Sequence, residues 1–335
     1  MAQKGRISGG MVYGHRRYIS LFGSTFYTRT IYTRGYTMCG YQNSSPWRNT
    51  NRTIHSTDTT TNLGDMMDTG ASYIDAGFSD YNAYVFNDSG GVQGSSSFTS
   101  SMSMVTETLR SHSNSWNMTV NRTNCKTLMN NGLTSIYITG GANSSTDKLS
   151  TVTDTMLGSG TIGTGLAGGT AGGLSGFWGE FYGIIGANSS SASLTWTTET
   201  WSSGTWSFAS STDGQPKGLS SKYGYGYNAS GTYDGSSTLY KFNDSTGAQV
   251  STMSRPEKCG EENCQIGQDW GYTLGSYNGS GQTNNSTKVS YTTDSCVGLG
   301  SSGQPQGHGG ASSGGCGTAA SLIAGANGPT AGLGG

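Results

Sequence analysis

The fold is decided by the stretch Ile136–Asp154, which reads IYITGGANSSTDKLSTVTD. It begins with an aromatic and β-branched run at Ile136–Ile138 and continues through a segment rich in Gly, Asn and Ser. It ends in a second strand-like run followed by Thr153 and Asp154. Aromatic and β-branched residues favour strands, whereas Gly and Asn favour turns. The stretch therefore predicts two antiparallel strands joined by a loop.

Both halves of this stretch recur along the chain. A strand-like run ends in Thr or Asn followed by an acid at Thr57-Asp58, Thr106-Glu107, Thr153-Asp154, Thr198-Glu199, Asn243-Asp244 and Thr293-Asp294. Successive acids are separated by 49, 47, 45, 45 and 50 residues. An aromatic run precedes each acid, at residues 36–38, 83–86, 136–138, 181–184, 223–225 and 272–274. Two features that recur together at nearly the same spacing indicate an internal repeat.

The repeat predicts an all-β, six-bladed β-propeller over residues 35–300. One unit supplies an antiparallel sheet of four strands, and a single sheet cannot bury both of its faces. When several such sheets pack around an axis, their faces are buried and only short edges remain exposed. A β-solenoid is the alternative, but its coils are shorter and more uniform. Residues 1–34 form a basic N-terminal arm in this scheme, and residues 301–335 form a Gly-rich tail. Because the sixth unit lacks outer strands in this reading, we expect residues 26–33 to complete the last blade.

The composition, the N-terminal residues and the cysteines limit the classes of protein to which the chain can belong. Charged residues make up 11% of the 335 positions, and no run of 18 apolar residues predicts a transmembrane helix. The first ten residues lack the apolar core of a secretory signal, which predicts synthesis in a cytoplasm. Among the six cysteines, Cys259 and Cys264 are close enough in sequence to form a disulfide, and the spacing leaves that pairing open.

The repeat resembles the kelch family. Gly90-Gly91 and Gly140-Gly141 match the glycine pair that ends a kelch strand, and Met253–Pro256 is similar to the usual lead-out. With units such as Tyr36–Tyr41 and the Gly-rich tail, the whole chain is similar to kelch-like virion proteins of tailed phages that infect marine bacteria, the cyanophage type. This resemblance implies a multi-copy structural component of a virion, in its capsid, neck or tail. It also implies synthesis in the host cytoplasm and contact with other virion proteins.

Signatures of catalysis are scarce in the sequence. The four histidines, His15, His55, His112 and His308, lie in different parts of the chain. A nucleophile elbow of the Gly-x-Ser-x-Gly type needs a strand–turn–helix context, which an all-β chain does not offer. We therefore predict a non-enzymatic protein with no cofactor and no metal site. A zinc site from Cys259, Cys264, Cys296 and His308 is the less favoured alternative, because the second pair is widely spread.

Two groups of residues are candidates for binding. Rings near the predicted blade loops could stack on a host cell-surface glycan or pack between blades, and packing is the favoured reading; they are Tyr223, Tyr225, Tyr227, Trp270, Tyr272 and Tyr277. A basic cluster suits docking on an acidic protein surface better than nucleic acid, and it comprises Lys4, Arg6, His15, Arg16 and Arg17. The alternatives to a virion structural role are therefore a glycan-binding adhesion module and, because Asn-x-Ser/Thr sequons are frequent, a subunit of a secreted glycosylated fibre.

Overall fold

A computed structural model gives the fold of the chain. The residues that the structure describes are 34–42, 45–65, 75–79, 81–86, 97–111, 113–122, 125–130, 133–140, 144–158, 162, 175–179, 181–187, 190–204, 218–221, 223–229, 236–259, 263–267, 269–277, 282–300 and 314–316. They form six antiparallel sheets of four strands each, which are the blades of a β-propeller. The predicted all-β, six-bladed architecture is confirmed. Within the described residues, no helix is long and apolar enough to cross a membrane.

Each blade is a meander whose strands are numbered in chain order. Blade 1 contains β1 (Arg34–Gln42), β2 (Ser45–Ile54), β3 (Thr59–Asp65) and the distant β24 (Gly314–Cys316). Blade 2 contains β4 (Asp75–Phe78), β5 (Asn82–Phe86), β6 (Thr99–Ser103) and β7 (Thr108–Leu109). A short 3-10 helix at Asn114–Trp116 follows β7. Blade 3 contains β8 (Cys125–Met129), β9 (Ser135–Gly140), β10 (Thr146–Ser150) and β11 (Thr155–Met156).

The second half of the ring has the same plan. Blade 4 contains β12 (Ser175–Trp178), β13 (Tyr182–Ala187), β14 (Ser190–Thr195) and β15 (Thr200–Gly204). Blade 5 contains β16 (Gly218–Ser220), β17 (Tyr225–Ala229), β18 (Ser236–Asn243) and β19 (Gln249–Cys259). Blade 6 contains β20 (Asn263–Ile266), β21 (Trp270–Tyr277), β22 (Gln282–Ser290) and β23 (Ser295–Gly300).

The innermost strands form a closed ring. In order around the axis, β24, β4, β8, β12, β16 and β20 each contact the next, and β20 contacts β24 again. The aromatic runs of the sequence lie on the second strand of each blade, except that Phe181, Tyr223 and Gly224 precede their strands. The runs before the acids begin on the third strands, and in every blade except blade 5 they continue into the following turn. Close packing around the axis requires glycine, because a Cβ on Gly218 would lie 1.8 Å from the carbonyl oxygen of Gly176.

The ring closes differently from the expectation. The prediction that the sixth unit lacks outer strands is wrong, because β22 pairs with β23 through partners such as Val289 and Cys296. The strand that completes a blade is β24, from the Gly-rich tail, and it pairs with β1 with Tyr36 opposite Cys316. A three-residue Gly-Gly-Cys strand has no propensity or alternation that marks it in a sequence. Residues 26–33, expected to close the last blade, lie outside the described residues.

Candidate functional site

The acids that mark the repeat lie in turns between the third and fourth strands. In five blades the acid has a left-handed backbone, with φ between 52° and 58°, at Asp58, Glu107, Asp154, Glu199 and Asp294. The hydroxyl groups that flank the acid bond to each other, at 2.7 Å between Thr106 and Thr108 and 2.8 Å between Thr293 and Ser295. A left-handed conformation is costly for residues other than Gly and persists where its surroundings hold it. These turns therefore present their carboxylates in a fixed direction.

Each of these five carboxylates binds a tyrosine and a cation of the adjacent blade. We call this grouping a latch. Asp294 in blade 6 accepts from the hydroxyl of Tyr227 at 3.2 Å and from Nζ of Lys241 at 2.7 Å, both in blade 5. The tyrosine and the lysine lie opposite each other on neighbouring strands. In the other four latches, Asp58 binds Tyr272 and Lys288, and Glu107 binds Tyr36, Arg34 and Arg52. Asp154 binds Tyr84 and Arg110, and Glu199 binds Tyr137 and Lys148.

The latches shift the ionisation of their members. Burial, and then the adjacent carboxylates, raise the pKa of the hydroxyl groups of Tyr84 and Tyr137 well above the usual range, so both remain donors. Burial opposes ionisation of Asp154 and Glu199. Hydrogen bonds from Arg110 and Tyr84 to Asp154, and from Lys148 and Tyr137 to Glu199, outweigh that effect and lower the pKa of both carboxyl groups. These acids are therefore charged structural ties between blades.

The seam between blades 4 and 5 departs from this pattern. Ile184 and Ser193 lie opposite each other in blade 4, where blades 1, 3, 5 and 6 have the tyrosine and the cation and blade 2 has a tyrosine and a serine. Phe177 of blade 4 stacks on Phe242 of blade 5, with ring centroids 5.8 Å apart. The turn of blade 5 is also different, because the side chain of Asn243 caps it by accepting from the N–H groups of Ser245 and Thr246. This seam therefore lacks a tyrosine–cation latch, and its contacts include the packing of Phe177 on Phe242 and a hydrogen bond from the N–H of Trp178 to the hydroxyl of Ser220 at 2.9 Å.

The acid turns share one end of the propeller with the first hairpins of blades 2 to 6. Backbone N–H groups at the end of the third strand donate to carbonyl oxygens of that hairpin, as from Met104 to Tyr81 at 2.8 Å and from Tyr291 to Asp269 at 3.0 Å. Blades 3, 4 and 5 have the equivalent bond. We call this end the turn face, and it comprises the described residues of the hairpins that join the first two strands of blades 2 to 6, with the turns 55–58, 104–107, 151–154, 196–199, 243–247 and 291–294.

Large apolar side chains are exposed on the turn face. In blades 2 to 4 they form an apolar sector, with 52% of Tyr81, 48% of Val105, 74% of Val152 and 53% of Phe181 exposed. In blades 5 and 6 they form an aromatic sector, with 39% of Tyr223 and 36% of Trp270 exposed. A contiguous apolar patch on the surface of a folded protein commonly marks a face that binds another molecule.

The aromatic sector crosses the seam between blades 5 and 6. The hydroxyl of Tyr223 donates to Oδ1 of Asp269 at 2.7 Å, so a ring of blade 5 and a carboxylate of blade 6 are joined. The next residue is Trp270, and Nζ of Lys288 lies 4.3 Å from the centroid of its ring. In blade 5, Nζ of Lys241 lies 3.8 Å from the centroid of Tyr225. Lys288 and Lys241, which belong to latches, therefore also lie against aromatic rings of blades 6 and 5.

The structure separates the six rings that the sequence grouped. Tyr227 and Tyr272 are fully buried between blades as latch donors, as the packing alternative expects. Tyr225 is half-buried, whereas Tyr223 and Trp270 reach the surface. The side chain of Tyr277 lies outside the described part, and so do Lys4, Arg6, His15, Arg16 and Arg17. Sequence reasoning missed Asp269, and its only signal is its position in the hairpin directly before Trp270.

A small cavity lies among the described residues of the inner strands. The inner strands surround a cavity of about 20 Å³, lined by residues that include Asp75, Lys126, Trp178 and Cys264. Nζ of Lys126 lies 3.3 Å from Oδ2 of Asp75 in a buried ion pair. A cavity of this size has room for a water molecule but not for an organic ligand. Cys264 is a thiol, and no group of three or more potential ligands among the described residues could hold a metal ion.

Comparison of the chain with protein-family models and with curated proteins gives no match.

Proposed function

We propose that the protein is a non-enzymatic structural component of a phage virion that contacts neighbouring virion proteins through its turn face. The observation that carries this proposal is the apolar sector, in which Tyr81, Val105, Val152 and Phe181 are exposed on three consecutive blades. Burial of apolar surface is the main favourable term in protein association. A face with this chemistry gains free energy when a neighbouring subunit covers it.

The latches support the same proposal because they make the sector rigid. Val105 and Val152 lie in the turns that hold Glu107 and Asp154, and both carboxylates are bound to the preceding blade. A surface that is already ordered loses less conformational entropy when it binds than a flexible one does. The latches also engage the repeat acids in contacts between blades, which suits a scaffold better than a general acid or base.

A particle-assembly experiment tests the proposal. Phage genomes that encode Val152→Lys with Phe181→Lys would be compared with the wild type, and the chain would be quantified in purified particles by mass spectrometry. We expect wild-type protein in the particles and a loss of at least tenfold in the variant, because two buried lysines would lack partners. Val250→Lys with Val297→Lys is the matched control, since these residues are 53% and 52% exposed on outermost strands.

Each result has a clear meaning for this proposal. Absence of the wild-type chain from purified particles would contradict a virion role. Equal incorporation of the turn-face variant and the control would contradict docking through the apolar sector. Melting curves of both purified variants confirm that the substitutions leave the fold intact.

A further inference from the structure

We propose that Tyr223, Asp269 and Trp270 form a subsite for a neutral hexopyranose unit of a glycan, across the seam between blades 5 and 6. This inference goes beyond the structural role, and it concerns the aromatic sector alone. It rests on the contact between two blades, on the fixed orientation of the rings and on the local charge.

The contact between blades fixes a ring beside a hydrogen-bond acceptor. The Tyr223 hydroxyl donates to Oδ1 of Asp269 at 2.7 Å, and the backbone carbonyl of Asp269 accepts from the N–H of Tyr291 at 3.0 Å. Asp269 is half-buried, and Tyr223 is 39% exposed. An ionised carboxylate only accepts hydrogen bonds, so a ligand beside it has to supply donors such as sugar hydroxyl groups.

The adjacent indole is held in one orientation. Lys288 lies over the Trp270 ring, and its ammonium group is fixed by Asp58 at 2.7 Å. Trp270 is 36% exposed, so part of the residue remains available to a ligand. Tyr and Trp offer large, rigid contact areas at a low cost in conformational entropy. A pyranose has an apolar surface of C–H groups with hydroxyl groups at its edge. The C–H surface can contact an aromatic ring while a hydroxyl group donates to the polar group beside that ring.

Charge selects a neutral ligand. The carboxylate of Asp269 repels anions, which argues against phosphate and acidic sugars. Two rings with a carboxylate could also suit a quaternary ammonium group. Here the ammonium of Lys288 already lies over the Trp270 ring, 4.3 Å from its centroid, so a second cation has only the rest of that ring to contact. A neutral sugar is therefore the ligand that fits.

A binding experiment with the purified full chain tests the subsite. Saturation-transfer NMR would use the methyl glycosides of glucose, galactose and mannose, and titration calorimetry would use their unbranched oligosaccharides. We expect binding of at least one of these sugars, with a loss of tenfold or more in Tyr223→Ala and in Trp270→Ala. Asp269→Asn should weaken binding several-fold, because the amide is a poorer acceptor than the carboxylate.

Matched controls keep the result interpretable. Tyr81→Ala and Phe181→Ala remove exposed rings from the other sector of the same face and should leave sugar binding unchanged. Failure of every sugar to bind, equal binding by the Trp270→Ala variant, or preferential binding of tetramethylammonium would each overturn the proposal. Particle incorporation is measured separately, so failure of the virion role and failure of the sugar site are distinguishable.

Discussion

Lys288 in blade 6 and Asp58 in blade 1 are 230 positions apart in the chain, yet their Nζ and Oδ1 atoms lie 2.7 Å apart. The hydroxyl of Tyr272 donates to the same carboxylate at 2.8 Å. These residues belong to the first and last blades, so this latch closes the ring together with β24. The same combination of tyrosine, cation and carboxylate recurs at four other seams, where it joins blades that are consecutive in sequence.

Removal of the cation should weaken the closing latch. Lys288→Met keeps most of the side-chain volume but leaves Asp58 without its ammonium partner. We expect the free energy of unfolding to fall by about 1–3 kcal/mol, the usual range for hydrogen bonds to charged groups. Urea denaturation measures this change. Arg48→Met is the control, since Arg48 and Asp65 pair at the surface with 46% and 52% of their side chains exposed, and it should cost less than about 1 kcal/mol.

Removal of the closing strand should be more damaging. A chain that ends at Gly300 lacks β24, which leaves an unpaired edge on β1 and a gap among the inner strands. We expect a loss of several kcal/mol of stability, on the order expected when a buried element is removed from a small cooperative domain. A chain that ends at Gly317 retains β24 and is the control. Equal melting temperatures for the two truncated chains would contradict closure by residues 314–316.

Acid should weaken the same seam through His55, which stacks on Tyr272 with ring centroids 4.8 Å apart. Burial, with a further contribution from Lys288, lowers the pKa of His55 from 6.5 to about 4, although Asp58 and Gln265 oppose this shift. Because the pKa in the folded state is lower, the unfolded chain binds more protons between pH 6.5 and pH 4. Stability is therefore fully present above pH 6.5 and falls as the pH decreases, by at most about 1.4 kcal/mol per pH unit.

A variant without the imidazole isolates this effect. His55→Phe retains a ring that can stack on Tyr272 but has no proton to gain. Urea denaturation at a series of pH values should show a shallower slope between pH 6.5 and pH 4 for this variant than for the wild type. The latch carboxylates Asp154 and Glu199 have lowered pKa values, so their contribution is lost mainly at lower pH. An identical slope for both proteins would contradict a buried, neutral His55.

Two tyrosines of one strand region should behave differently. Tyr227→Phe removes a buried donor to Asp294, and we expect a loss of about 1 kcal/mol of stability. Tyr223→Phe removes an exposed hydroxyl and should change stability by less than about 0.5 kcal/mol, as is usual for surface substitutions. Thermal unfolding of both variants measures the difference. Equal effects would contradict the assignment of Tyr227 to a latch and Tyr223 to the surface.

The period of the sequence predicts the blades but not the latches. Acids such as Glu107 and Asp154 are visible because they recur at nearly constant spacing. The partners of these acids come from two strands of another blade, and the position of the cation differs between latches. Arg110 binds Asp154 from beyond the fourth strand, because Ser101 stands opposite Tyr84, where the other latches have Lys or Arg. Sequence spacing therefore does not reveal which groups meet across a seam.

Depth within the blade explains why the predicted aromatic site is divided. Tyr223, Tyr225 and Tyr227 alternate along one segment, which gives them the same side of a strand. Tyr223 lies in the hairpin and is 39% exposed, whereas Tyr227 lies two residues inside β17 and is fully buried. Alternation in a sequence predicts on which side of a sheet a residue lies. The distance of that residue from the end of the strand depends on where the hairpin turns.

Five of the six repeat acids tie neighbouring blades together, and a crystal structure of the protein at neutral pH is the decisive measurement. We expect Asp58, Glu107, Asp154, Glu199 and Asp294 each to accept hydrogen bonds from a tyrosine hydroxyl and from a lysine or arginine of the adjacent blade. Carboxylates that point into solvent, with those tyrosines bound elsewhere, would contradict this expectation.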